Sequence, residues 1–295
     1  MSCQVLLCLE RTMIKIKGVK SNWFYSQRHL IQKYIQETYS VKTSWETLAR
    51  KEYKYKFSDK EYSLEKCTIF ENTENGLVFI SDPHDHSNHG LYMRDILNIE
   101  KDIVHIVKSQ FNESKYDIQE DFTPSCYFPR DLTSYLSFVD EVRNKRPDKK
   151  EDGLFFTGRK WKGRRKILRR LEDIIVSCDK LPPKEFVMKM NSHKVILSLP
   201  GHGNLCHREF EAFGVGVPVL MIKHKNTLYD PLIPDKHYIS VNNYKDIKGR
   251  YEEVKDDEEY LEYVSQNAIE WFDNNCRYPN CYRSFDLPLK KILER

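Results

Sequence analysis

Apolar residues in this chain recur with two different periods, and the switching between them is the first structural signal. Between Ser26 and Tyr39 the spacing of Leu30, Ile31, Tyr34 and Ile35 predicts an amphipathic helix. Cys67–Phe70 and Gly76–Ile80 are short apolar runs on either side of Glu71-Asn72-Thr73-Glu74-Asn75, so they predict two strands joined by a tight turn. Leu91–Ile99 has helical spacing, and Ile103–Val107 reads as a short buried strand. Asp131–Asn144 reads as a helix, with Asp131 at its N-cap and Leu132, Tyr135, Leu136 and Val139 along one face.

The polar, turn-rich stretch Arg146–Gly153 is the best linker in the chain. Beyond it the alternation is cleaner. Strands are expected at Leu154–Thr157, Val195–Leu199, Pro218–Ile222 and His237–Val241. Helices are expected at Arg164–Ile175, Glu185–Asn191, Asn204–Phe213, Asp256–Asn274 and Leu287–Leu293. Strands alternating with helices argue for an α/β fold. A chain of 295 residues fits two domains of about 150 residues each, divided as 1–145, a linker at 146–153, 154–275 and a terminal segment 276–295.

Composition adds little against that picture. The net charge of +4 is too small to mark a nucleic-acid binder, although basic residues concentrate between Arg159 and Arg170. The apolar run Val5–Leu9 is too short for a signal peptide, and no run approaches the roughly 20 residues needed to span a bilayer. The cysteines are scattered, with Cys276 and Cys281 the one local pair and no Cys-x-x-Cys to suggest a zinc site. The expectation is a soluble cytoplasmic protein.

Chemistry concentrates in three places. In the first, Val195–Leu199 ends in Pro200-Gly201-His202-Gly203 and leads into a helix. Glycines there let the backbone approach a phosphate, and a helix N-terminus favours an anion. In open parallel sheets ligands sit beyond the carboxyl ends of strands, where this loop falls. Arg208 and Glu211 are three residues apart and share a helical face, whereas Glu209 projects elsewhere. The competing reading is that the glycines merely make a strand-to-helix turn.

Glu211-Ala212-Phe213-Gly214-Val215-Gly216-Val217-Pro218-Val219 resembles the Glu-Ala-x-x-x-Gly-x-Pro-Val signature of GT-B glycosyltransferases. With Ser198-Leu199-Pro200-Gly201 before it and Arg208 inside it, the unit is most similar to the exostosin-like branch. The resemblance covers roughly residues 153–275. It implies two Rossmann-like domains, with the donor site in the C-terminal one and the terminal helix crossing back to the first. It also implies Glu211 as ligand of the donor ribose, with Gly201, Gly203 and Arg208 near the diphosphate. His202 is either a donor-sugar contact or a solvent-facing loop residue.

The second place is Phe155-Phe156-Thr157-Gly158-Arg159-Lys160-Trp161-Lys162-Gly163, which resembles the opening strand and loop of the same architecture. In a metal-independent enzyme, cations there would meet the charge of the leaving diphosphate. Arg159 and Lys162 are the candidates, with Arg164 in reserve. Two other readings stand beside this one. Arg164, Arg165, Lys166, Arg169 and Arg170 also fit the wet face of an amphipathic helix, and Lys160–Arg170 could contact an RNA or DNA backbone.

The third place is Asp82-Pro83-His84-Asp85-His86-Ser87-Asn88-His89. An inverting transfer needs a base near the acceptor hydroxyl, and Asp82 and Asp85 are the candidates. A metal-dependent hydrolase site using His84, Asp85, His86 and His89 competes with that, as does an ordinary surface loop.

Taken with the resemblance, these residues imply transfer of a sugar from a nucleotide-diphosphate sugar to a hydroxyl of a glycan or glycoprotein. A UDP-sugar is favoured, and no cofactor, divalent metal, nucleic-acid partner or membrane span is expected. A compact exostosin-like enzyme without an anchor also resembles those that large DNA viruses use on their own glycans. That likeness implies UDP-xylose as one donor and the host cytoplasm as the location.

Overall fold

The computed structural model describes residues 12–19, 27–48, 54–57, 60–63, 67–82, 103–108, 122–125, 134–145, 147, 150–158, 162–178, 181–200, 205–223 and 228–294. The expected helix at Leu91–Ile99 lies outside them. The chain forms two compact units. The first comprises Met1–Asp131, Asn226–Asp230 and Tyr278–Arg295, and the second Leu132–Lys225 and Pro231–Arg277.

The first unit holds a six-stranded sheet. Its strands are β1 (Met13–Val19), β2 (Lys42–Leu48), β5 (Thr68–Asn72), β6 (Val78–Asp82), β7 (Ile103–Lys108) and β8 (Phe122–Pro124), in the order β2-β1-β5-β6-β7-β8. β3 (Lys54–Phe57) and β4 (Lys60–Ser63) form a separate antiparallel pair. The β1–β2, β6–β7 and β7–β8 ladders are parallel, while β5 pairs antiparallel with both neighbours. Helix α1 (Arg28–Tyr39) links β1 to β2 and buries the predicted apolar face at Ile31, Tyr34 and Ile35. The predicted turn before Gly76 is present, and Gly76 takes a φ of 73°. The chain's end completes this unit through a 3-10 helix (Asn280–Phe285) and a short helix at Asp286–Leu293. Asn72 and Asn75 donate to the Ile292 carbonyl at 2.7 and 3.0 Å, meeting an acceptor that the terminal helix leaves open.

The second unit is a five-stranded, fully parallel sheet. Its strands are β9 (Glu151–Thr157), β10 (Ile175–Cys178), β11 (His193–Ser198), β12 (Val219–Ile222) and β13 (Ile239–Val241), in the order β10-β9-β11-β12-β13. Both faces are covered, as continuous apolar strands require. On one face, Leu154, Phe156, Val195, Leu197 and Leu199 share a core with Leu168 and Leu171 and with Tyr251 and Val254. The first pair belongs to helix α3 (Lys162–Arg169) and the turn after it, and the second to α6 (Ile247–Val254). Helices α2 (Ser134–Asn144), α4 (Pro183–Asn191), α5 (His207–Val215) and α7 (Glu258–Asn275) pack together and complete the unit. Arg143 ties three of them, donating to the Gly214 carbonyl at 2.6 Å and in bidentate fashion to Asp273 at 2.8 and 3.0 Å. A Cβ at Gly214 would lie 2.8 Å from Val139, so α2 and α5 approach as closely as they do because no side chain intervenes there.

Two differences from the sequence reading have physical causes. Helix α3 stops at Arg169; of the residues expected to continue it, Ile174 closes the following turn and Ile175 begins edge strand β10. Their spacing mimics a helical face, but β-branched Ile174-Ile175-Val176 suits a strand better. Strand β9 starts at Glu151, inside the expected linker, with Gly153 at a φ of 97°. The acidic stretch Glu252–Glu259 carries its charges on the surface across two helices. Val254 within it is buried, α6 ends there, and the Asp257 carboxylate accepts the Tyr260 amide at 2.9 Å to start α7.

Candidate functional site

In the second unit the chain runs from β9 through α3 to β10 on one side of β9, then returns through α4 to β11 on the other side. The winding direction therefore reverses between β9 and β11. That reversal opens a crevice at the strands' carboxyl ends, the usual ligand position in open parallel sheets. The residues at those ends are Thr157 and Gly158 after β9, and Ser198, Leu199 and Pro200 after β11.

Two arginines converge on this point. Arg164, in the first turn of α3, is 6% exposed despite its charge. Its Nε donates to the Pro200 carbonyl at 3.0 Å, and its Nη2 to the Leu199 and Pro200 carbonyls at 2.7 Å each. Arg208, in the first turn of α5, donates from Nη1 to the Ser198 hydroxyl at 3.3 Å. Both guanidinium groups lie over the buried Phe156 ring, with Cζ at 5.8 Å for Arg164 and 5.1 Å for Arg208. Gly158 makes room for them. Its φ is 145°, and a Cβ there would lie 2.9 Å from Arg208 Nη2 and 3.3 Å from Arg164 Nη1. Burial lowers the Arg164 pKa, and the like charge of Arg208 lowers it further.

Beneath Arg208 lies a fully buried carboxylate. Glu209 accepts from the Ser198 hydroxyl on one oxygen and from the Cys206 amide on the other, the latter at 2.7 Å. The second bond is one half of a capping box, in which the residue three places into a helix satisfies the amide at its cap. Burial pushes the Glu209 carboxyl pKa up, while the Arg208 charge and the Ser198 and backbone hydrogen bonds act against it. The crevice thus has cations at its rim and a neutralising carboxyl set below them. Chemically the arrangement suits an anion, because the Arg208 guanidinium is held beside a helix N-terminus.

Of the residues singled out from the sequence, Arg208 and Glu211 lie on α5 within this region, and Glu211 is buried. Lys162 opens α3, and only its backbone is described. Arg159, Gly201, His202 and Gly203 lie outside the described residues, as do Asp85, His84, His86 and His89. Asp82 is in the first unit, at the end of β6, where it is fully buried with the Cys67 sulfur 3.8 Å from Oδ1. Among the described residues, no group of three or more His, Cys, Asp or Glu is placed to hold a metal ion, and no helix is long and apolar enough to cross a membrane.

The helix α3 divides where the sequence reading grouped it. Arg165, Lys166, Arg169 and Arg170 are exposed, whereas Arg164 turns inward to the crevice. Arg170 joins Leu171, Tyr244, Lys245 and Lys248 around a groove of about 400 Å³, where Lys248 is paired with Asp173. Three members of the crevice escaped sequence reasoning: Ser198, Glu209 and Gly158. A signal existed for Glu209, because Cys206-x-x-Glu209 has capping-box spacing at a helix start. Helical-face arithmetic aimed Glu209 away from Arg208 and Glu211 without considering that its own face meets β11.

No family model and no curated protein matches the chain. Among solved structures it is similar to sucrose-phosphate synthase from Thermosynechococcus elongatus, at a TM-score of 0.41 and 11% identity over 72% of this chain and 58% of that one. It is also similar to Anabaena HepE in complex with UDP-glucose, at 0.43 and 10% over 72% of each chain. TarM gives 0.40 and 12% over 81% of this chain and 66% of the other. The chain spans well under two thirds of the synthase. At these scores the likeness says nothing about chemistry, which has to come from the side chains themselves.

Proposed function

We propose that the protein is a glycosyltransferase of the GT-B type, taking a sugar from a nucleotide-diphosphate sugar to a hydroxyl of a glycan acceptor. The observation that carries this reading is the convergence of Arg164 and Arg208 over Phe156 at Gly158, in the crevice where β9 and β11 diverge. In the transfer, the acceptor oxygen bonds to the anomeric carbon as that carbon's bond to the diphosphate oxygen breaks. The negative charge growing on the diphosphate is met by guanidinium groups that are already oriented, which is how fixed donors lower such a barrier. Arg208 is the principal contact in this reading, with Arg159 and Lys162 adding charge from the β9–α3 connection. Glu211 holds the ribose hydroxyls, and Gly201, His202 and Gly203 border the diphosphate and sugar. On the acceptor side Asp85 is the carboxylate that takes the acceptor's proton if the configuration inverts, whereas Asp82, expected as its alternative, is fully buried at the end of β6 and has no face open to an acceptor. With arginines doing the neutralising, no divalent metal is required.

The test is a thermal-shift screen against UDP, GDP and CDP and their sugars, UDP-xylose and UDP-glucose included, with and without EDTA. A nucleotide at about 100 times its Kd adds about 2.7 kcal/mol, several degrees at this chain length. The expected result is stabilisation by one nucleotide class in the presence of EDTA, lost in Arg208→Ala and Glu211→Ala. No stabilisation by any of them would overturn the reading.

One observation favours a second reading. The exposed arginines of α3 continue into the groove lined by Arg170, Tyr244, Lys245 and Lys248, a pairing of cations with an aromatic ring that suits single-stranded nucleic acid. Salt-sensitive RNA binding, weakened by Arg170→Glu with Lys245→Glu, would support it.

A further inference from the structure

The connection between β11 and α5 is held at both of its described ends by buried ionisable side chains, a guanidinium at one and a carboxyl at the other. At its start, Arg164 takes the Leu199 and Pro200 carbonyls with three hydrogen bonds of 2.7 to 3.0 Å. At its finish, Glu209 takes the Cys206 amide at 2.7 Å. The two ends are linked beneath the connection, because the Ser198 hydroxyl donates to Glu209 and accepts from Arg208. A helix cap by itself does not call for this. A capping box needs only a Glu or Gln side chain three places into the helix to accept the cap's amide, and nothing in the motif requires that side chain to be buried. Here the acceptor is a carboxyl with no solvent exposure, which carries a desolvation cost that a surface cap avoids. What the buried position adds is a direct path from the cap, through Ser198, to the guanidinium of Arg208.

We propose that Glu209 is a positioning residue for the anion site, fixing Arg208 through Ser198 and the end of the β11–α5 connection through Cys206, with Arg164 as its counterpart at the other end. The nucleotide readout rests on the donor reading given above; the hydrogen-bond clamp does not. Glu209 touches no ligand in this scheme. Its effect is on how often Arg208 occupies the geometry that receives a phosphate. A glutamine preserves that geometry, since its carbonyl accepts the Cys206 amide and its NH₂ donates to the Ser198 oxygen. A leucine of similar size leaves both groups without their partner, the costly direction for buried polar atoms.

Two measurements test the proposal on the full chain. The first is amide exchange in the unliganded protein. The Cys206 amide should exchange slowly in the wild type and in Glu209→Gln, and at least tenfold faster in Glu209→Leu. Fast exchange in the wild type overturns the clamp whatever the nucleotide screen gives. The second is affinity for the nucleotide diphosphate that stabilises the wild type. Glu209→Gln should stay within about threefold of wild type, and Ser198→Ala, which removes the link but leaves the cap, should bind about tenfold more weakly. Ser198→Ala binding as tightly as wild type, with Cys206 still protected, would reduce Glu209 to a helix cap and overturn the positioning role while leaving the donor reading intact. A wild type that binds no nucleotide overturns the donor reading and, with it, the assignment of Glu209 to an anion site. The exchange result would then still decide the clamp.

Discussion

Strand β11 carries a polar side chain in the interior at each end, His193 at its start and Ser198 at its finish, and the two ends of the sheet treat charge differently. At the amino end Glu151, Asp152, Lys189 and Lys194 lie in pairs of opposite sign. Glu151 accepts from Lys189 at 3.0 and 3.2 Å and from Ser192 at 2.8 Å. His193 donates to the Lys189 carbonyl at 2.9 Å and stacks on Phe155 at 4.5 Å. Lys194 pairs with Asp152 at 2.8 Å. At the carboxyl end two guanidinium groups share one aromatic ring, and the hydrogen bonds of both that lie in the crevice run to carbonyls and a hydroxyl rather than to carboxylates. The carboxyl end keeps a concentration of positive charge at some cost, which is the usual division between scaffold and site in parallel sheets.

The largest test of that division uses two glycines on the same strand. Gly153 near the start of β9 and Gly158 just past its end both have positive φ, 97° and 145°. A Cβ at Gly153 would lie 2.6 Å from Val176 Cγ2, and one at Gly158 would lie 2.9 Å from Arg208 Nη2. Each alanine substitution should cost about 1–3 kcal/mol through backbone strain. Only Gly158→Ala should also abolish the nucleotide-induced rise in melting temperature, because it alone displaces a crevice arginine. If Gly153→Ala removes the nucleotide response equally, the two ends are not functionally distinct.

A smaller effect separates the ends by pH. Burial holds the His193 pKa below its ordinary value, and the neighbouring Lys189 carbonyl and Glu151 only partly oppose it. The unfolded chain therefore takes up this proton more readily than the folded one. The neutral ring's contribution to stability is present above about pH 6.5 and is lost as pH falls from there toward the folded value. Melting temperature should decline more between pH 7 and pH 5.5 in the wild type than in His193→Gln. Equal slopes would mean that His193 titrates as it does in the unfolded chain.

How much of this was legible in the sequence depends on whether a signal is local. The strands of the second unit and the helices at α5 and α7 follow from apolar periodicity and punctuation, since each buries a face that its own residues define. β10 was not legible, because Ile174-Ile175 continues a helical spacing that only the sheet edge interrupts. In the first unit, β1 alternates lysine with isoleucine, and Lys15 pairs with Glu46 of β2 at 2.6 Å. Such pairing is invisible until the register is known. At the crevice, Arg208 and Glu211 could be found because their spacing and the motif around them are local. Arg164 stood only in reserve, since it also fitted one of five solvated basic residues until the Leu199 and Pro200 carbonyls were placed opposite it. Glu209 was set aside for a similar reason, since its partner Ser198 lies on another element.

The finest test concerns the ion pair at the amino end itself. The Glu151 side chain is half exposed, as is Lys189, so water already screens their attraction. Pairs of that kind contribute about 0.2–1 kcal/mol in measured cycles, and Glu151→Gln should lower stability at pH 7 by no more than that. Glutamine can still accept from Ser192 and Lys189, which reduces the loss further. The same substitution has a second consequence with a definite sign. Glu151 Oε2 lies 3.6 Å from His193 Nε2 and favours its protonated form. Removing that charge leaves burial and the Lys189 and Lys150 charges to act on the ring, so His193 becomes harder to protonate in the fold. The acid-side decline in melting temperature should then steepen in Glu151→Gln, while the nucleotide response stays at the wild-type level. A stability loss well above 1 kcal/mol at pH 7 would show that the amino end depends on this pair as a buried one, and the contrast with the carboxyl end would have to be redrawn in terms of burial rather than charge balance.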